Sequence, residues 1–193
     1  MRAPPPQTPP IVSGKVLLKP LLEMSVRDWQ LFYRYFRDKE IATLNGSSPM
    51  YMPLWLFKRV VTGEERSGER QGYGIYTKEN QFIGSVELYD LEPAKAPYRG
   101  ELGILIGEKT LWSLGYGSDA MSGILKIAFE KLKLERLRLK TLEHNARARR
   151  AFEKAGFVFE RISYETRHYN FAHYQLERSV WLERNRGELR DNE

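Results

Sequence analysis

Apolar residues in this chain fall in short runs separated by polar stretches that carry glycine or proline. Val16–Leu22 (VLLKPLL) is one such run and predicts a strand, with Pro20 placing it at an edge or a bend. Ser25 stands before a helix over Val26–Arg37, and Asp28 occupies the third helical position, as in a capping box. Asn45–Pro49 reads as a loop, and Pro53 opens a second helix over Leu54–Thr62. After a polar loop at Arg66–Gly72, the runs Tyr73–Thr77 and Phe82–Tyr89 predict two strands joined by a turn at Lys78–Gln81. Tyr98–Gly107 is a further strand, and Tyr116–Leu132 a long helix. Leu137–Leu142 alternates apolar with polar and is a strand; Asn145 caps a helix that ends at Gly156. Phe157–Arg167 and Phe171–Leu182 are read as the last two strands.

This order is strand, two helices, three strands, helix, strand, helix, two strands. It predicts a mixed α/β layer fold on one open sheet, with no internal repeat. The N-terminal residues MRAPPPQTPP are half proline and read as a disordered arm over residues 1–12. A single domain is expected over 13–183, with a polar tail over 184–193. No apolar segment follows Arg2 as a signal peptide would require, and no run approaches the roughly 18 apolar residues of a membrane helix. The expected compartment is therefore cytoplasmic, with no membrane partner.

Composition narrows the chemistry. At 193 residues, 41% hydrophobic and 12% aromatic, the chain can bury its own core. It has no cysteine, which excludes disulfides, thiolate nucleophiles and cysteine-held metal centres, and no metal is expected. The net charge of +6 permits a phosphate-bearing or nucleic-acid partner without deciding between them.

The chemically informative stretch is Gly100–Val158. Gly115 and Gly117 flank Tyr116 where a strand and loop give way to a helix, so successive N–H groups and the positive helix end can converge on a pyrophosphate. A dinucleotide fingerprint would need a glycine where Ala120 stands, and no Gly-Lys-Ser/Thr follows as in a Walker loop. WSLGYGSDA and LEHNARARRAFEKAGF, at their observed separation, resemble two motifs of the GNAT superfamily of acetyl-CoA-dependent N-acetyltransferases. The first is most similar to the group of ribosomal-protein N-terminal acetyltransferases, which typically shows Trp-Gly-x-Gly-Tyr-Gly/Ala-Thr-Glu-Ala. The resemblance extends over the folded region in element order.

The resemblance implies a GNAT-like acyl-CoA N-acyltransferase fold, a central, mostly antiparallel sheet with flanking helices whose fourth and fifth strands splay. The pantetheine arm of coenzyme A would enter between Ile104–Ile106 and Leu137–Leu142, with Leu105 and Ile106 along it. Trp112, Ser113, Leu114, Gly115, Tyr116 and Gly117 would wrap the pyrophosphate, with Ser118 adding a hydroxyl. Asn145 would lie near the thioester end, Arg147 or Arg150 would meet the phosphates, and Phe152 would line the cofactor. The chain departs from the family pattern at three points: Leu114 replaces a frequent Lys or Arg, Ala148 a frequent Ser, and Phe152 a frequent tyrosine acid.

The implied reaction is direct acetyl transfer from acetyl-CoA to a primary amine in a ternary complex, which needs no protein nucleophile and suits a chain without cysteine. A strand N–H near Leu105 or Ile106 would stabilise the oxyanion. An amine with an ordinary pKa of about 8 (α-amine) or about 10.4 (lysine) must lose a proton before attack. Glu101, in an E-L-G context on the strand leading to the thioester, is the first candidate base; Glu87 is the second and His144 the third. Tyr164 and Tyr169 are candidate acids, and the apolar run Met50–Phe57, with Tyr51 and Trp55, is a candidate wall for the acceptor. The acceptor is open among a protein N-terminus, including that of a ribosomal protein, a lysine, and a small amine. A homodimer is also compatible with the sequence. Two other readings remain: a non-catalytic acyl-CoA-binding or regulatory domain on the same scaffold, and an RNA- or ribosome-associated protein using its basic residues, although no direct nucleic-acid contact is expected.

Overall fold

The computed structural model describes residues 9–91, 99–164 and 169–186. Among them, eight strands form one sheet: β1 (Ile11–Ser13), β2 (Val16–Pro20), β3 (Gln71–Thr77), β4 (Phe82–Tyr89), β5 (Arg99–Ile106), β6 (Arg136–Leu142), β7 (Val158–Ser163) and β8 (Phe171–Glu177). Their spatial order is β1-β2-β3-β4-β5-β6-β8-β7. Every neighbouring pair is antiparallel except β5 and β6, which are parallel. Six helices pack around the sheet: α1 (Val26–Arg37), α2 (Lys39–Leu44), α3 (Leu54–Ser67), α4 (Tyr116–Lys126), α5 (Ala146–Ala155) and α6 (Arg178–Arg184). Among the described residues, no helix is long and apolar enough to cross a membrane.

The splay expected between two central strands is present. β5 and β6 pair only at Arg99–Glu101 with Arg136–Arg138. Beyond that point each strand follows its outer neighbour. β5 stays on β4 to the Gly84–Ile106 pair, and β6 stays on β8 to the Leu142–Phe171 pair. Leu102–Ile106 and Leu139–Leu142 therefore diverge, and a gap opens between them.

Two cores form, one on each face. On the first, Trp29 and Phe32 of α1 and Phe57 of α3 pack with Tyr76, Phe82 and Leu105. On the second, Ala120, Met121 and Ile124 of α4 pack against Val16, Leu18, Ile75, Val86 and Leu88. Each large apolar side chain buried this way contributes roughly 1.5–3 kcal/mol relative to exposure. The cap expected at Ser25 is observed: its hydroxyl oxygen accepts from the Asp28 N–H at 3.1 Å.

Several boundaries differ from the sequence reading, each for a local reason. The arm expected over 1–12 is strand at Ile11 and Val12, because a turn at Gly14 (φ +52°) folds β1 back onto β2. Residues 1–8 and 187–193 lie outside the described residues. α3 runs on to Ser67, five residues past the expected end at Thr62. α2 was not foreseen; its six residues are too few to show a period, and Asp38 caps it by accepting from the Ile41 N–H at 3.1 Å. The helix expected to reach Leu132 turns at Ile127–Lys131 into a wider π-turn, which buries the consecutive residues Ile127, Ala128 and Phe129. The strand expected over Phe171–Leu182 ends at Glu177 and becomes α6. There the Arg178 N–H donates to the Glu135 carbonyl at 2.9 Å, and Trp181 packs on Phe129 at 5.5 Å. The expected strand Phe157–Arg167 is observed as Val158–Ser163, and residues 165–168 lie outside the described set.

Candidate active site

A cleft of about 670 Å³ follows the gap between β5 and β6. One wall is β5 with the loop into α4. Gly115 is the residue before α4, at φ +93°, a left-handed conformation that favours glycine. No side chain caps this helix start, so its first N–H groups are left for a ligand. Gly115, Gly117 and Ser118 all line the cleft. Ser113 holds φ +64°, which strains a non-glycine residue by about 1 kcal/mol. The Trp112 indole N–H pins the loop by donating to the Ile106 carbonyl at 2.7 Å.

The other wall is β6 with the start of α5. Asn145 caps α5 by accepting from the Ala148 N–H at 3.2 Å and also lines the cleft. Lys140, Arg147, Arg150 and Lys154 bring four cations to this wall. The Arg147 guanidinium stacks across the mouth on the Trp112 ring, 4.2 Å from its centre. Phe152 is buried and closes the cleft at its apolar end, where Phe157 and Tyr174 pack against it. An uncapped helix start, an unpaired strand edge and a row of cations together fit a phosphate-bearing chain laid along the gap.

The cleft also reaches the face covered by α1–α3, where Phe36, Ile41 and Leu44 line it, as do Phe171 and a buried polar group. In an antiparallel pair, opposed residues share a face. Glu87 lies opposite Gly103 on β5, and the missing side chain there leaves room for the Tyr89 ring, 3.1 Å from where a Cβ would be. Glu87 is 5% exposed and lines the cleft; one oxygen accepts from the Ser85 hydroxyl at 2.7 Å, and the other pairs with Arg70. Arg70 also pairs with Glu64 at 2.6 Å. Burial, with Glu87 nearby, pushes the carboxyl of the neighbouring Glu65 up to about 7. Burial, together with its bond to Glu101, raises Tyr89 above the ordinary tyrosine value, so its hydroxyl stays protonated at neutral pH.

The structure thus brings together most of the residues singled out in the sequence. Leu105, Ile106, Trp112, Ser113, Gly115, Gly117, Ser118, Asn145, Arg147, Arg150 and Phe152 line one cleft with Glu87. Leu114 is exposed and stands outside the lining, as does Tyr116. Glu101 occupies the last position where β5 and β6 still pair, and it lines a separate shallow depression with Arg99, Arg136 and Arg138. It is linked to the cleft through its bond to Tyr89. His144 is exposed in the turn before α5, outside the lining. Of the candidate acids, Tyr164 is exposed and Tyr169 half-buried, and neither lines the cleft. Tyr51 and Trp55 point to solvent, and the wall assigned to them is formed by α1 and α2. Arg70, Ser85 and Tyr89 were not anticipated; a period-two reading of β4 from Glu87 would have found Ser85 and Tyr89, but nothing in the sequence marks Arg70.

Comparison with known proteins agrees with this architecture. The crystal structure of spermidine N-acetyltransferase from Vibrio cholerae in complex with CoA and spermine is similar, with a TM-score of 0.77 at 17% identity over 87% of this chain and 98% of that one. An acetyltransferase (GNAT family) from Bacillus anthracis gives 0.70 at 16% over 88% and 99%. A putative acetyltransferase from T. thermophilus gives 0.71 at 23% over 98% and 99%. At such identities these likenesses establish the fold. No curated protein matches the sequence at a significant level. Residues 16–158 match the acetyltransferase (GNAT) domain family; the match does not single out the ribosomal-protein-like group. The chain belongs to the GNAT acetyltransferases, which draw their acetyl group from acetyl-CoA.

Proposed function

We propose that this protein acetylates a primary amine, taking the acetyl group directly from acetyl-CoA with both substrates bound, and that Glu87 is the general base. The observation that carries the reading is the buried Glu87 carboxylate inside the same cleft as the phosphate loop, beside the point where β5 leaves β6. Bound acetyl-CoA supplies an acyl carbon activated as a thioester. The loop from Trp112 to Ser118 holds its pyrophosphate, and Arg147 and Arg150 neutralise phosphate charge from the opposite wall. Peptide N–H groups of Leu105 or Ile106 on the open edge of β5 stabilise negative charge developing on the carbonyl oxygen. Glu87 accepts the proton of the attacking amine, directly or through one water, while Ser85 and Arg70 hold the carboxylate in place; the C–N bond forms, the C–S bond breaks, and coenzyme A leaves as a thiolate that takes its proton from water. Holding the two partners in line supplies most of the acceleration.

The buried Glu87 carboxylate lines the cleft, and its partner Arg70 is shared with Glu64, which favours a small cationic amine. A structural neighbour crystallised with spermine is consistent with that class. The test is acetyl-CoA consumption with a panel of polyamines, aminoglycosides, lysine and peptide N-termini, using wild type and Glu87→Gln. At least one small cationic amine should turn over, and Glu87→Gln should lower kcat about 10²-fold or more while leaving CoA affinity close to wild type. CoA binding without turnover on any amine would instead identify a non-catalytic acyl-CoA-binding protein. Unchanged kcat in Glu87→Gln would remove Glu87 as base.

A further inference from the structure

The phosphate loop carries no cation of its own: Trp112, Ser113, Leu114, Gly115, Tyr116, Gly117 and Ser118 are all uncharged. The first turn of α4 even holds an acid, Asp119. An uncharged loop beside a carboxylate is a weak host for a diphosphate unless positive charge arrives from elsewhere. Against this loop, a cation comes from the N-terminal hairpin.

The β1–β2 turn docks on this loop. Ser13 donates its hydroxyl to the Asp119 carbonyl at 2.7 Å, and the Lys15 N–H donates to Asp119 Oδ2 at 2.8 Å. Gly14 lies so close that a Cβ there would sit 2.4 Å from Asp119 Cγ, so the approach requires glycine as well as its φ of +52°. These bonds occupy the acid and fix the turn. They also place Lys15 Nζ against the loop, where it donates to the Leu114 carbonyl at 2.8 Å. The ammonium lies 3.7 Å from where a Gly115 Cβ would be and 5.8 Å from the centre of the Tyr116 ring. An ammonium has three donors, and the Leu114 carbonyl takes one. Among the described residues, Lys15 forms no ion pair with a carboxylate.

We propose that Lys15 is a cofactor-binding residue whose ammonium supplies the positive charge for the phosphates cradled by the Trp112–Ser118 loop. The N-terminal hairpin thereby becomes part of the cofactor site. The inference rests on the reading of that loop as the pyrophosphate cradle.

The test is calorimetric titration of CoA at two salt concentrations, with KM for the phosphate-free thioester S-acetylpantetheine measured beside it. The proteins compared are wild type, Lys15→Gln, Lys15→Arg and Gly117→Trp. Gln keeps a donor for the Leu114 carbonyl and removes only the charge. Lys15→Gln should weaken CoA about fivefold, flatten the salt dependence and leave the KM for S-acetylpantetheine unchanged, with Lys15→Arg near wild type. Wild-type CoA affinity in Lys15→Gln, while Gly117→Trp abolishes binding, would overturn the role of Lys15 alone. Equal losses for CoA and S-acetylpantetheine would make Lys15 a structural brace and also overturn it. Wild-type CoA affinity in Gly117→Trp would overturn the loop assignment and this inference with it.

Discussion

The two halves of the sheet meet at the cleft and are buried in different ways. In β3 and β4 nearly every residue is buried, because α1 and α3 cover one face and α4 the other. In β6 and β8 buried and partly exposed positions alternate, so one face stays open. This difference decides what chemistry each half can carry. Polar groups in the doubly covered half must be partnered or they destabilise it, and Glu87 is accordingly held by Ser85 and Arg70. The half-open side carries Arg136, Arg138 and Lys140 along one strand, and α5 carries Arg147, Arg150 and Lys154. Near water such charges cost little. The first half therefore supplies backbone donors and a buried carboxylate, and the second supplies cations.

The sharpest way to break this comparison is at Gly117. If the β5 side acts through its backbone, a small side chain should be tolerated and a large one should not. A Cβ at Gly117 meets nothing nearer than Ile106 Cγ1 at 3.7 Å, so Gly117→Ala should fold and bind within about threefold of wild type. Gly117→Trp should fill the cleft and cut CoA affinity at least about 100-fold by calorimetry. Similar affinities for the two variants would show that this wall does not hold the cofactor.

The second half should respond to charge rather than bulk. Arg147→Ala removes the stack on Trp112 and, on the proposed reading, a phosphate partner, and should weaken CoA about three- to tenfold. The loss should shrink as salt is raised, since the guanidinium is exposed. A loss of equal size at low and high salt would assign Arg147 to packing on Trp112 alone.

The same division governs how much was legible in the sequence. Asn145, Gly156 and the alternation of Leu137–Leu142 located α5 and β6 closely, because half-exposed elements write their periodicity into the chain. The glycine turn before α4 was readable because Gly115 has a conformational reason to be glycine. The acceptor end was not. Glu87 and Glu101 look alike in sequence, each on a strand with a hydrophobic neighbour, and only the register places the first in the cleft and the second beside Arg138. Arg70 reaches Glu87 from a loop without a pattern, and the β1 strand was hidden by the prolines before it. Contacts that join distant segments leave no local signal, and both the Arg70–Glu87 pair and the Lys15–Leu114 contact are of that kind.

The smallest expected effect lies in the doubly covered half, at Glu65. Its carboxyl is pushed from the ordinary 4.5 up to about 7, first by burial and then by the charge of Glu87. Arg70 and the Gly72 N–H offset part of this, while Glu64 adds to it. A folded state that raises an acid's pKa favours the protonated form. Below about pH 4.5 the side chain is protonated in both the folded and unfolded chain, and its contribution to stability is fully present. As pH rises towards 7 the unfolded chain releases the proton first, so the folded state binds more protons and stability falls. Glu65 is partly exposed, so solvent screening reduces the effect to about 1 kcal/mol, or about 2–4 °C in Tm for a domain of this size. Thermal unfolding of Glu65→Gln should accordingly fall less between pH 5 and pH 8 than that of wild type, by that amount. A half-open site would not hold a carboxyl this way, so equal pH dependence in the two proteins would show that the contact between α3 and Gly72 of β3 is as wet as the β6–β8 half.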